Sequence, residues 1–179
     1  LKVVKEFDGV YADGVFTLEF CREFSIPLFA GTGFNLFNSW SAFACKSEGV
    51  TEITLSKELS DKEAAFAKEV GAFCLSGGGI KLMDLGHCVF GKRCSTCDER
   101  ALYEMTDEEG RTFPLRRYKN SCCRFEIYNY ALLAHEREER ALYDFTALSN
   151  SEKEKFLLCT DVKSGMSGFT SGAAKRGIK

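Results

Sequence analysis

Three cysteines and a histidine fall within the twelve residues "GHCVFGKRCSTC", Gly86 to Cys97. Cys88, Cys94 and Cys97 have the spacing C-x5-C-x2-C, and a short turn across the C-x2-C pair aims both sulfurs at one centre. A more distant cysteine would close such a site, and Cys122 and Cys123 follow later in the chain. Two chemistries suit this set. Structural zinc takes four thiolates, or three with a histidine such as His87. A [4Fe–4S] cluster also takes four and adds one-electron chemistry, its potential set by nearby charge and hydrogen bonds. Position favours the cluster. Cys88 comes directly after a predicted strand, "GIKLMDLG" (79–86), at the end where parallel α/β folds do their chemistry, whereas a structural staple could sit anywhere.

The rest of the composition narrows the field. Cys21, Cys45, Cys74 and Cys159 stand singly among apolar residues and are expected to be core thiols. With 45% hydrophobic and 28% charged residues the chain has material for a core and no tendency to disorder. A net charge of −2 gives no global basic field for nucleic acid. It leaves "LRRYK" (115–119) and "AAKRGIK" (173–179) as local patches that would touch phosphates. No apolar run approaches the ~20 residues of a membrane helix and no signal peptide is visible, so no membrane span is expected. Hydrolytic motifs are sparse. The only histidines are His87 and His135, and His135 opens "HEREE", which lacks the second histidine of H-E-x-x-H. No G-x-S-x-G occurs. A cysteine nucleophile served by His87 competes with metal ligation, and "SGGG" (76–79) reads as a flexible turn in preference to a phosphate cradle.

These groups need a frame. "FDGVYAD" (7–13), "IPLFAGTGFN" (26–35), "VTEITLS" (50–56) and "GIKLMDLG" (79–86) read as strands. Helical patterns lie between them, at 14–24 with Asp13 as N-cap, from Ser39 to Gly49, and after Ser60, which has capping-box spacing to Glu63. Four βα units predict a parallel sheet with right-handed crossovers. At this length they form either a small open α/β sheet or half of a (β/α)8 barrel, and the start at Leu1 favours the second, with an N-terminal half expected to be missing. The predicted fold is therefore α/β: residues 1–87 as the later half of a TIM-like (β/α) barrel with parallel strands, and 88–179 as a cysteine-rich β-hairpin and α+β cap. In the cap, "ALYEMTDEEGRTFPLRRY" (101–118) is a hairpin turning at "DEEG", "CRFEIYNYALL" (123–133) follows, "ALYDFTALS" (141–149) is a strand and "NSEKEKFLLC" (150–159) a helix. Asp13, Asn35, Asn38, Ser56, Glu58 and His87 fall at predicted strand ends, where Asp13, Asn38 and Ser56 also suit helix caps.

"GVYAD", "NLFNSWSA", "ITLSKEL", "IKLMDLGHC", the cysteine run, "DEEGRTFPL" and "CRFEIYN" occur in an order that resembles the peptidase U32 family of bacterial proteins, from Gly9 to Asn129. The resemblance implies a TIM-like barrel, a cytoplasmic setting and a [4Fe–4S] cluster on Cys88, Cys94, Cys97 and Cys123, with Cys122 a neighbouring spare. It also implies an oxygen-independent hydroxylase acting on RNA or a quinone-like ring, with prephenate or a related metabolite as oxygen donor. The family label itself implies a collagenase-type peptidase of unresolved catalytic type. Glu58, Asn35 and His87 are the candidates to orient the oxygen donor, by strand-end position. A zinc-stapled module without catalysis is the third reading. The tail departs from the family pattern, with Ala173 and Ala174 where a His-Phe pair is common, and Gly14 follows Asp13 where Asp-Asn is common.

Overall fold

The computed structural model describes residues 6–91, 97–98, 101–119, 123–135, 140–158 and 168–175. The elements, in chain order, are β1 (Val10–Ala12), α1 (Thr17–Glu23), β2 (Leu28–Ala30), α2 (Ser39–Ser47), β3 (Glu52–Ile53), α3 (Ala67–Val70), β4 (Phe73–Gly78), β5 (Lys81–Leu85), β6 (Leu102–Thr106), β7 (Thr112–Lys119), β8 (Cys123–Tyr128), β9 (Leu132–Ala134), β10 (Arg140–Asp144), α4 (Asn150–Leu158) and β11 (Phe169–Thr170). They form three sheets, ordered β1-β2-β3, β10-β4-β9-β11 and β5-β8-β7-β6. The chain divides into two compact units, one of residues 1–76, 135–142 and 171–179, the other of 77–134 and 143–170.

The barrel expectation is overturned. Strands dominate the described residues, the helices are four and short, and no regular strand–helix alternation continues beyond the first sheet. Two misread segments account for the difference. "GIKLMDLG" is not a fourth parallel strand: its β5 pairs antiparallel with β8, Leu85 opposite Phe125. The strand that follows α3 is instead "FCLSGG", β4, whose last five residues are all buried. Its glycines look like a turn in sequence, but they let another backbone approach. A Cβ at Gly78 would fall 2.0 Å from the Asp144 carbonyl oxygen, and one at Gly77 would fall 2.4 Å from the Tyr143 ring. "SGGG" is thus neither a flexible turn nor a phosphate cradle.

In the first unit β1, β2 and β3 run parallel, with Ala12 beside Ala30 and Ala30 beside Ile53. Single bridges extend the pairing, Leu36 to Leu55 and Thr54 to Phe73. Leu28, Ala30, Ile53, Leu55, Ala67 and Val70 share the core with Cys21 and Cys74, while Cys45 packs half-buried against it. Burial pushes the thiols of Cys21 and Cys45 above their ordinary value, Glu48 adding to the effect at Cys45. Cys159 lies outside the described residues. Helix α2 starts where Asn38 Oδ1 accepts from the Ser41 amide at 2.9 Å and ends before Gly49, whose φ of +92° suits glycine. Asp13 does not cap α1; its Oδ1 accepts from the Gly33 amide at 3.0 Å and ties together the loops after β1 and β2.

In the second unit β5, β8, β7 and β6 make an antiparallel sheet. The β6–β7 hairpin turns at "DEEG" as expected, because Asp107 Oδ1 accepts from the amides of Glu109 and Arg111 and Gly110 supplies a φ of +78°. Phe145, Phe156 and Phe169 stack in a row beside Tyr143.

Candidate thiolate site on the antiparallel sheet

Side chains alternate across a strand, so the register of the antiparallel sheet decides what shares a face. Tyr103 of β6, Leu115 and Arg117 of β7, Cys123, Phe125 and Ile127 of β8 and Leu85 of β5 fall on one face. Leu115, Phe125 and Ile127 are its buried centre, and Cys88, Phe90, Tyr103 and Cys123 pack against them. The segment after β5 folds over this face: the Phe90 ring lies 4.7 Å from Tyr103 and 5.5 Å from Phe125, centroid to centroid. That contact brings Cys88 over the sheet. Tyr103 also holds the segment with Cys97. Its hydroxyl accepts from the Asp98 amide and donates to the Asp98 carbonyl at 3.0 Å.

Arg117 is the buried charged residue of this face, only 7% exposed, whereas Lys119, opposite Cys123 on the same face, is exposed. Its Nη2 donates to Cys123 Sγ at 3.4 Å. A buried guanidinium is costly unless its donors meet acceptors or negative charge, and a metal-bound sulfur is one such acceptor. Cys123 sits diagonally from Arg117, since Arg117 is directly opposite Phe125 in the register. The sequence pointed to Cys123 but not to Arg117, which looks like part of a solvated basic run.

The run "LRRYK" does not act as one patch. Leu115 and Arg117 face the cysteines, while Arg116 faces the other way, opposite Glu126, whose carboxylate it reaches at 3.4 Å. Glu126 also receives Lys81 at 3.5 Å and the Tyr128 hydroxyl at 3.1 Å. Burial, then the Glu126 charge, pushes the Tyr128 phenol well above its ordinary value.

The remaining predicted site residues are scattered. Cys94 and Cys122 lie outside the described residues, and so does most of the second basic run, which begins at Ala173. Among the described residues no three His, Cys, Asp or Glu side chains stand close enough to hold a metal ion. The described donors suit a thiolate centre in kind: soft sulfur, an apolar and aromatic cover, and a buried cation beside one sulfur. His87 is exposed in the second unit, whereas Asn35 and Glu58 belong to the first. There Ser56 Oγ donates to Asn35 Oδ1 at 3.2 Å and accepts from the Glu58 amide at 3.4 Å, so Ser56 links the two and caps no helix. Among the described residues no helix is long and apolar enough to cross a membrane. Comparisons with protein-family models, with curated proteins and with solved structures find no match to this chain.

Proposed function

We propose that the second unit carries a thiolate-ligated metal centre on Cys88, Cys94, Cys97 and Cys123, a [4Fe–4S] cluster in preference to zinc, serving oxygen-independent hydroxylation of a quinone-like ring or an RNA base. One observation carries the reading: the buried Arg117 guanidinium placed on Cys123 in the face that Cys88 covers. A metal-bound thiolate offsets its burial and is in turn stabilised by the N–H donor. Bound there, a cluster would supply one-electron chemistry; Phe90 and Phe125 would keep water from it. The cysteine spacing supports a metal, and the resemblance carried by the ordered motifs from Gly9 to Asn129 supports the choice of iron and of a hydroxylase. The oxygen donor of this reaction would be a small metabolite of the prephenate type. RNA is the less favoured substrate, because Arg116 and Lys81 are offset by Glu126.

The deciding experiment is anaerobic purification with iron, sulfide and zinc analysis and a visible absorption spectrum. About four irons per chain, as a [4Fe–4S] cluster requires, lost on substituting Cys88, Cys94, Cys97 or Cys123 by Ala and kept on Cys122→Ala, is the expected result. One zinc without iron assigns the site to structure. No metal under any of these conditions overturns the reading.

A further inference from the structure

The parallel sheet of the first unit has a second face, turned away from the helices, and it carries a different set of side chains. The register sets Tyr11, Phe29 and Glu52 level with one another, and Thr54, two residues beyond Glu52, bridges Phe73. Side chains alternate along a strand, so these five share one face while Ala12, Ala30 and Ile53 turn to the core. One step on from the Ala30–Ile53 pair, Gly31 comes beside Thr54. It leaves a gap there that Tyr11 crosses: a Cβ at Gly31 would fall 2.6 Å from the Tyr11 hydroxyl oxygen. Beside the gap lies a cavity of about 190 Å³, walled by Tyr11, Phe29, Phe73 and Leu142 and lined also by Glu52 and Thr54.

Charge, one hydroxyl and size decide what this cavity suits. Of the residues lining it Glu52 alone is charged, and Arg140 takes both carboxylate oxygens, at 2.8 Å from Nη1 and 3.1 Å from Nη2. The same guanidinium lies 3.9 Å from the centre of the Phe73 ring and donates to the Gly71 carbonyl at 3.2 Å. The ion pair is closed on itself, so the cavity suits an uncharged occupant. Thr54 is only 3% exposed, and among the described residues its hydroxyl makes no hydrogen bond. Buried hydroxyls are ordinarily paired. This one stands in the wall of a cavity, on the same face as the aromatic rings, and it can both donate and accept. An apolar cavity of about 150 Å³ holds benzene. The space here therefore fits a six-membered ring with one oxygen on it, and falls short of the ~300 Å³ from which drug-sized ligands are held.

We propose that this cavity is a binding site for a small uncharged phenol, its ring set among Phe29, Phe73 and Leu142 and its hydroxyl paired with that of Thr54. Aromatic walls favour a ring over an aliphatic chain through offset and edge-to-face contacts. Tyr11, 53% exposed, is the wall that meets solvent and the side on which the ring enters. Binding needs no metal and no residue of the second unit, so the site stands apart from the thiolate centre.

The test uses the full chain and para-fluorophenol, titrated to millimolar concentration and followed by its fluorine NMR shift and line width. Saturable binding is expected. Fluorobenzene, which lacks the hydroxyl, should bind about fivefold more weakly, the effect of one hydrogen bond. Para-fluorobenzoate should bind at least about tenfold more weakly, because its charge finds no partner. Thr54→Val keeps a similar shape and removes the hydroxyl; it should weaken para-fluorophenol about fivefold and leave fluorobenzene unchanged. Leu142→Trp fills the cavity and should abolish binding of both rings. Should the variants not fold, nuclear Overhauser effects from the ring protons of bound para-fluorophenol to the methyl groups of Thr54 and Leu142 in the wild type locate the ring directly. No saturable binding, benzoate held as tightly as the phenol, full affinity in folded Thr54→Val, or Overhauser effects to other residues only would each overturn the site.

Discussion

A charge inside an apolar sheet face is the most telling residue-level feature of this chain. Arg117 is held where Leu115, Phe125 and Ile127 exclude water, and it donates to a sulfur. If that sulfur is a metal ligand, the hydrogen bond to a charged group contributes about 1.5–3 kcal/mol, which is about tenfold or more in metal retention. Arg117→Met keeps the volume and removes the charge. Its metal-free form should melt close to wild type, while a chelator should strip its metal about tenfold more readily. Equal retention by the two proteins would separate Arg117 from the metal site. Other titrating residues in the interior set the alkaline limit. The Cys21 thiol is raised from its ordinary 9.0 by burial, and the Tyr128 phenol is raised by burial and by Glu126. A group with a raised folded value takes up protons on folding. Its contribution is complete below the unfolded value and is lost as pH rises through the folded one. The thermal midpoint should therefore fall from about pH 9 upward. At neutral pH Cys21 should resist iodoacetamide in the native protein, and mass mapping that finds it alkylated early would contradict its burial.

At the scale of elements, local chemistry was readable and partner choice was not. The "DEEG" hairpin, the Asn38 cap and the Ser60–Glu63 capping box were all legible, because each is closed by atoms within a few residues of one another. The direction of β5 was hidden, since its partner β8 lies some forty positions away, and apolar spacing shows which face is buried without naming the neighbour. β4 was hidden by its glycines, which in sequence mark a turn and in the fold admit the Asp144 backbone. The same limit applies to the sites. Cys88 and Cys123, which the structure sets against one sheet face, could be picked out from spacing, whereas Arg117 needed the strand register. The capping box gives a prediction with a definite sign. Ser60's hydroxyl, then its amide, lowers the Glu63 carboxyl below its ordinary 4.5. The stabilisation is present above that ordinary value and disappears as pH falls through the lowered one. Ser60→Ala should melt earlier than wild type at neutral pH, and the gap should close in acid. A gap that persists unchanged below pH 3 would assign the loss to something other than the carboxylate.

Considered as a whole molecule, the chain spends its apolar residues unevenly. Its first unit buries small and medium side chains, Ala30, Ala42, Ile53 and Ala67 among them, at the centre of the parallel sheet and its helices. Much of its aromatic surface stays outside: Phe16 and Trp40 are each 84% exposed, and Phe43 shares a helical face with Trp40 at i and i+3. Parallel sheets are ordinarily covered on both faces. Here Arg140 stacks over the Phe73 ring at 3.9 Å and pairs with Glu52, while Tyr11 is largely exposed. Trp40 is the single tryptophan, so its fluorescence reports on this surface alone. In dilute solution its emission should match free indole in water and quench freely with acrylamide. Trp40→Lys should change stability by no more than about 0.5 kcal/mol, the range of substitutions that touch nothing, as read by urea unfolding. A blue-shifted, protected emission, or a variant destabilised by several times that amount, would mean that Trp40 is covered in the protein as it exists in solution and that the outer face of α2 belongs to the core.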